Sequence, residues 1–295
     1  MIAIKLQGGL GNQMFQYAAA KALSVKAGCV LLMDLSFLQQ TAEQSIEGFT
    51  SRHYELGIFK NIAQQFISHD QRKKFTKTSL KQQGLKQLGL PYYKIYNEPS
   101  FEFNDALFLQ KPPVLLDGYW QSEKYFLAEA AEIKKAFTFP ALTGADENNK
   151  LLADIVNSNA VSVHIRRGDY LHPAIAAQHG VCSVSFYKSA IEYVQSISPG
   201  CVFYFFTDDA AWVQENFTGH LPGSVLVKNN TGAVSWKDMY LMSCCRHNII
   251  ANSSFSWWGA WLNGNSSKIV VAPAKWFNNA NRNDKDVIPA AWIQL

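Results

Sequence analysis

An α/β protein built from two parallel-sheet units is what this sequence of 295 residues predicts, on three observations. The chain opens with a strand, a glycine loop and a helix. Its second half alternates strands with helices of crossover length. Between the halves lies a turn-rich, polar stretch, "TFPALTGADENNK", at residues 138–150. Strands alternating with helices form parallel sheets joined by right-handed crossovers. The expectation is therefore one unit over residues 1–150, a second over 151–295, and a cleft between them.

Each element has its own warrant. Ile2 to Leu6 reads as a strand, "QGGLGNQ" as a loop, and residues from about Met14 to Lys26 as a helix, with Ala18, Ala19, Ala22 and Leu23 at helical spacing. Gly28 closes that helix, and "CVLLMD" (29–34) is the next strand. Residues 35–110 are strand-poor and match no pattern, with a basic run, "RKKFTKTSLKQQGLK". "PPVLLDGYWQSEKYF" (112–126) supplies a buried strand and a loop, followed by a helix through Lys135. The second half then reads as strand 161–166, helix 184–197, strand 201–209, helix 210–216 and strand 224–228. It continues with helix 235–243, strand 247–253, helix 256–262 and strand 268–273.

Composition limits what these units can do. Apolar residues at 48% and charged residues at 17% describe a globular chain without a disordered tail. A net charge of +4 argues against a dedicated nucleic-acid binder and allows an anionic small-molecule substrate. Five cysteines without framework spacing suggest reduced thiols in a cytoplasmic protein. Glycines come too soon at the amino terminus for a signal-peptide core, and no stretch is apolar enough to span a bilayer.

The chemistry gathers at strand ends. In "VSVHIRRGDY" the period-2 alternation puts His164 and Arg166 on one face, and Gly168 stops the strand just beyond. Thr207, Asp208 and Asp209 end a second strand, and Asn252, Ser253 and Ser254 end a third that leads into a helix at "FSWWGAWL". Ligands of open α/β sheets bind at the carboxyl ends of strands, and a helix amino terminus is an anion site. Guanidinium grips phosphate with paired charge-assisted hydrogen bonds. Arginines facing such a terminus fit a diphosphate. Asp208, nearby, suits a guanine or a ribose hydroxyl, so the set suggests a sugar nucleotide.

"GGLGNQMFQYAAAKAL", "GYWQSEKYF", "HIRRGDY", "FTDD" and "NSSFSWWGAWL" resemble, in family order, the motifs of α-1,2-fucosyltransferases of the bacterial soluble type. The resemblance runs from residue 8 to residue 262 and implies two facing Rossmann-like domains of the GT-B architecture. It further implies an inverting transfer of fucose from GDP-β-L-fucose to the 2-hydroxyl of a galactose-terminated acceptor, with no metal and no cofactor. By the same resemblance Arg166 holds the β-phosphate, His164 lies near the nucleotide, and Ser254, Phe255 and Ser256 contact the phosphates. Gly11, Asn12 and Gln13 face the fucose, with the first domain on the acceptor side. The catalytic candidates are Arg166 and Asn12. The binding candidates add Arg167, Asp169, Asp208, Asn252, Ser253, Tyr119 and Gln121, and no galactoside is singled out.

Plainer readings compete with these. His164 alone suits a satisfied core histidine, and Arg167 with Asp169 suits a local ion pair. Asp208 and Asp209 form the kind of acidic pair that holds a divalent cation. Against that, Arg166, Arg167 and a helix terminus can compensate a diphosphate, and Asp209 can cap the helix after it. Trp257, Trp258 and Trp261 at helical spacing read as packing. The basic run from Arg72 to Lys94 is most simply a solvated face; the sharper reading is a peripheral membrane contact. Asp117, His53 and Glu123 are the groups available as a general base. "GGLGNQ" with Asp34 also admits a nicotinamide-dependent oxidoreductase, although Met14 stands where the third fingerprint glycine belongs. A non-catalytic sugar-binding module explains the aromatics but leaves the two arginines idle.

Overall fold

The computed structural model describes residues 1–42, 52–77, 80–278 and 283–295. It falls into two units, Met1–Pro140 with Lys285–Val287, and Ala141–Asp284 with Ile288–Leu295. The division lies inside the turn-rich stretch. Residue 150 sits within a helix, Asn148–Val156, and goes with the second unit.

The first unit carries four parallel strands, β1 (Ile2–Lys5), β2 (Leu31–Asp34), β3 (Lys94–Asn97) and β4 (Val114–Asp117), in the spatial order β2-β1-β4-β3. The chain runs from β1 outward to β2, then returns to the other side of β1, so the order reverses between β1 and β4. The crossover helix, Leu10–Lys26, begins four residues earlier than its apolar spacing indicates, because Gly11 and Asn12 are drawn into a first turn that tertiary packing holds. Gly8 makes the turn into it at φ +76°, where a Cβ would stand 2.5 Å from the Asn12 side-chain nitrogen. Gly28, at φ +58°, closes the helix as expected. β3 escapes sequence reading because it is a four-residue edge strand of alternating half-buried and exposed residues, KIYN, with no apolar face. The helix expected through Lys135 is broken into two 3₁₀ turns and a short helix, Ala130–Ala136. Asp286 is tied into this unit by accepting from the Phe103 N–H at 2.9 Å and the Lys124 ammonium at 2.5 Å.

Six parallel strands make the second sheet: β5 (Ala160–Ile165), β6 (Val202–Thr207), β7 (Val225–Val227), β8 (His247–Ile249), β9 (Val270–Ala272) and β10 (Ile293–Gln294). Their order, β10-β9-β8-β5-β6-β7, is the 3-2-1-4-5-6 arrangement of a Rossmann sheet, with the reversal between β5 and β8. β5 is buried along its whole length, polar residues included, as a central parallel strand must be. Ser162 is satisfied there by the Asn248 amide at 2.7 Å. Helix Val184–Ile197 covers one face with Tyr187, Ala190, Ile191 and Val194, and Ser183 caps it by accepting from the Phe186 N–H at 3.1 Å. Trp257 and Trp258 are fully buried and pack with Trp261 and Trp292, so the tryptophans of "FSWWGAWL" are core. All five cysteines are free thiols. Among the described residues no helix is long and apolar enough to cross a membrane.

Candidate functional site

The strand reversal of the second sheet puts the ends of β5, β6 and β8 side by side, and the expected polar residues meet there. Arg166 is the first residue past β5. Its guanidinium is held from two sides, by Asp169 at 2.7 Å and by Asp208 at 2.9 Å. Asp208 also accepts the Arg167 backbone N–H at 2.8 Å, which draws the β5 and β6 ends together. A Cβ at Gly168 would come within 2.8 Å of the Asp208 carboxylate, so only glycine allows this approach. The two carboxylates flank the two terminal nitrogens of the guanidinium and so restrain its orientation. Burial works against the Arg166 charge, Asp208 and Asp169 more than offset it, and its pKa is raised.

Arg167 turns elsewhere. Its Nε donates to Asp209 at 3.0 Å and its guanidinium lies 4.0 Å from the centre of the Trp212 ring, a cation–π contact. Asp209 caps the helix after it by accepting from the Trp212 N–H at 3.2 Å. The sequence reading counted the two arginines as charge available to a diphosphate. Three carboxylates pair with them, so the cluster as a whole is not cationic.

His164 is buried beneath, with its ring 5.8 Å from that of Phe255 and its Nδ1 without a hydrogen-bond partner. Burial, opposed by Asp208 and assisted by Arg166, pushes its pKa down to about 4, so the imidazole is neutral at neutral pH. Ser253 occupies the N-cap of helix Ser254–Leu262 but makes no side-chain cap bond. The first-turn N–H groups of Ser254, Phe255 and Ser256 thus keep the partial positive charge of a helix amino terminus. Ser254 and Phe255 are half-buried at this mouth. The Ser256 hydroxyl is turned inward to the carbonyls of Ala251 and Ser253. Asn252 is likewise committed: its amide nitrogen donates to His179 O at 2.8 Å, Trp276 O at 3.2 Å and Gly180 O at 3.3 Å. It ties three loops together. Tyr170, which ends the "HIRRGDY" motif and is given no role by the sequence, donates its hydroxyl to Asn252 O at 3.3 Å and faces Arg166.

In the first unit the strand reversal gathers the ends of β1 and β4. Asn12 Oδ1 accepts from the Gln121 amide at 2.8 Å, and Gln121 Oε1 is buried without a partner. Gln13 is fully buried and saturated: it donates to Gly8 O at 2.8 Å and His53 O at 2.7 Å, and accepts from the Glu55 N–H at 2.9 Å. Gly11 lies within the same helical turn. Tyr119 stacks on Phe101 with ring centres 6.1 Å apart.

Glu98 was missed by sequence reading. It follows β3, and its carboxylate accepts the N–H groups of Tyr119 at 2.7 Å and Trp120 at 2.9 Å. This bends the "GYWQ" loop, so that Trp120 takes φ +57° and Gln121 reaches Asn12. A side chain at Gly118 would collide with Glu98. Burial raises the Glu98 pKa to about 7 against the pull of those two N–H groups. The only signal in the sequence is that Glu98 is the first acidic residue after position 70, ending a long basic stretch. Of the groups named as bases, Asp117 is paired with Lys5 at 2.9 Å. Among the described residues no three His, Cys, Asp or Glu side chains group as a metal site.

The whole chain, residues 1–295, matches the model of glycosyl transferase family 11. An α-1,2-colitosyltransferase of Escherichia coli is 34% identical over 100% of this chain and 99% of its own length. The O-antigen biosynthesis glycosyltransferase WbnK of E. coli is 34% identical over 98% of this chain and 99% of its own. A galactoside 2-α-L-fucosyltransferase of Caenorhabditis elegans is 26% identical over 100% of this chain and 79% of its own. Among solved structures, the α-1,6-fucosyltransferase NodZ soaked with GDP-fucose superposes with a TM-score of 0.50 at 17% identity, covering 88% of this chain and 92% of NodZ. That likeness establishes the GT-B class of fold.

Proposed function

The chain belongs to glycosyl transferase family 11, and on that premise we propose that it transfers L-fucose from GDP-β-L-fucose to the 2-hydroxyl of a terminal galactose. The observation that carries this reading is Arg166, fixed by Asp169 and Asp208 at the strand reversal of a Rossmann sheet, next to a helix terminus that no side chain caps. The second unit then holds the donor and the first the acceptor. The acceptor oxygen bonds to the anomeric carbon as the bond from that carbon to the β-phosphate oxygen breaks. The electron pair leaves with GDP, and the hydroxyl proton passes to solvent or to a base. Negative charge grows on the β-phosphate, where Arg166 and the N–H groups of Ser254 and Phe255 are preorganised to receive it.

Some roles shift from those expected from sequence. Gln13 and Asn252 act through the loops they hold, because their amides are already committed to the backbone. Arg167 supports Arg166 from the Trp212 ring. The neutral His164, with Nδ1 unpaired, suits a hydrogen bond to the nucleoside rather than a charge contact. Transfer without a divalent cation belongs to the same proposal. Asp208 is engaged by Arg166 and the Arg167 N–H, and Asp209 by Arg167 and the Trp212 N–H, which disfavours a cation between them.

The relative named for colitosyl transfer favours a second reading, in which colitose replaces fucose as the sugar transferred. Incubating the protein with each GDP-sugar and a panel of β-galactosides, in EDTA after chelator dialysis, tests both. The expected product is an α-1,2-fucosylated galactoside at nearly the rate seen with Mg²⁺. Transfer of colitose alone would replace the donor, and activity restored only by a divalent ion would return the acidic pair to metal binding.

A further inference from the structure

The chain's positive charge is concentrated in one place. Residues 71–97 contain seven basic side chains, Arg72, Lys73, Lys74, Lys77, Lys81, Lys86 and Lys94, and no acidic one. The remaining sequence holds 20 basic against 23 acidic residues and is net negative, so the overall +4 comes from this stretch. Arg72 is spoken for by buried Asp34 at 2.9 Å, and the side chain of Lys81 lies outside the described residues. Lys73, Lys74, Lys77 and Lys86 are exposed and make no ion pair among the described residues. Lys94, on the edge strand β3, projects with Tyr96 to the side of the sheet away from Phe75 and Tyr93 and does not belong to this surface.

Aliphatic side chains share this surface. Helix Leu80–Gln87 ends with Gly89 at φ +66°, where the N–H of Leu90 bonds to Leu85 O at 2.9 Å and that of Gly89 to Lys86 O at 3.1 Å. This cap fixes a tip on which Leu88 is 75% and Leu90 48% exposed, followed by Pro91, with Ile95 at 38% on β3. Lysines around protruding leucines match a bilayer with anionic headgroups. The ammonium groups meet the surface potential and the leucines enter the acyl boundary, each basic residue adding about fivefold to partitioning. A nucleic-acid surface would leave the leucines in water.

We propose that the surface of the first unit carrying Lys73, Lys74, Lys77, Lys86, Leu88 and Leu90 docks the protein peripherally on an anionic lipid bilayer. The inference is independent of which sugar is transferred. Cosedimentation of the full chain with vesicles of phosphatidylcholine and phosphatidylglycerol (3:1), and with phosphatidylcholine alone, tests it at 20 mM and 500 mM NaCl, with quantities chosen only for contrast. Binding to the anionic vesicles at low salt, lost at high salt, is expected. Lys73→Glu, Lys77→Glu and Lys86→Glu together should lower partitioning by at least about a hundredfold. Leu88→Ser with Leu90→Ser should weaken it by about tenfold without changing the melting temperature or transfer to a soluble galactoside. No binding to the anionic vesicles, equal binding to neutral ones, or binding undiminished in the triple variant would overturn it. So would retention of a double-stranded oligonucleotide with no vesicle binding.

Discussion

Both sheets reverse their strand order beside their own first strand, and each carries a polar cluster at that reversal, yet the two clusters are made of different materials. At the β1–β4 reversal the groups are neutral amides: Asn12 bonded to Gln121, and Gln13 bonded to three backbone groups. At the β5–β8 reversal they are charges that restrain one another, Arg166 between Asp169 and Asp208, and Arg167 on Asp209. Amides hold loop shape at little electrostatic cost and suit hydroxyl-bearing ligands. Paired charges at low dielectric hold an orientation against developing charge, and any one removed leaves its partner uncompensated. A strand reversal beside the first strand therefore serves shape in one unit and field in the other.

If that contrast is right, the largest effect on turnover comes from the charged cluster. Arg166→Lys keeps one charge but cannot span Asp169, Asp208 and a phosphate in one plane. We expect kcat to fall by about 10²–10³ with the melting temperature nearly unchanged, as steady-state kinetics and calorimetry would show. Near-normal kcat would remove Arg166 from the reaction.

The amide cluster should fail in stability instead. Gln13→Leu strands the carbonyls of Gly8 and His53 and the Glu55 N–H, and Glu98→Ala strands the N–H groups of Tyr119 and Trp120. Each should cost about 2–3 kcal/mol in urea denaturation. A Gln13→Leu protein that melts normally but loses activity would mean that this amide meets substrate.

A smaller effect, common to both units, depends on pH. Burial raises Glu98 in the first unit from 4.5 to about 7, and Asp238 in the second from 3.8 to about 7, the latter opposed by its bond from the Asn230 amide. A carboxyl group whose pKa is higher folded than unfolded binds its proton more tightly when folded. Its contribution is whole below the unfolded value and is lost as pH climbs to about 7. Asp238→Asn keeps an acceptor for Asn230 and carries no charge. It should flatten that slope and stabilise the protein at pH 8 by on the order of 1 kcal/mol. An unchanged slope between pH 4 and 8 would mean that Asp238 ionises normally.

The smallest effect is expected at Arg167, where lysine retains charge near Asp209 and over Trp212. A change of no more than about threefold in kcat fits a supporting place. A loss as large as that of Arg166→Lys would move Arg167 onto the donor.

Local pattern was enough to read much of this. Gly28 marks the end of the first helix, residues 184–197 read as another helix and 161–166 as a strand, because caps and short-range periodicity act over a few residues. The motifs at 164–169, 207–209 and 252–256 named the residues that meet beyond the second sheet, since each sits at the end of an apolar run. What local pattern could not show is the partner of each group. Arg166 sits 42 residues from Asp208, Gln121 is 109 from Asn12, and Glu98 is 22 from the Trp120 N–H it holds. Those pairings depend on strand order: the reversal between β5 and β8 brings Asn252 to Arg166, and the edge place of β3 brings Glu98 to the end of β4. Side-chain type and spacing told which chemistry was present. The folding of distant strand ends into one layer, where buried polar groups must find partners or stay unsatisfied, decided that Asn252 and Gln13 brace loops and that the arginines arrive already paired.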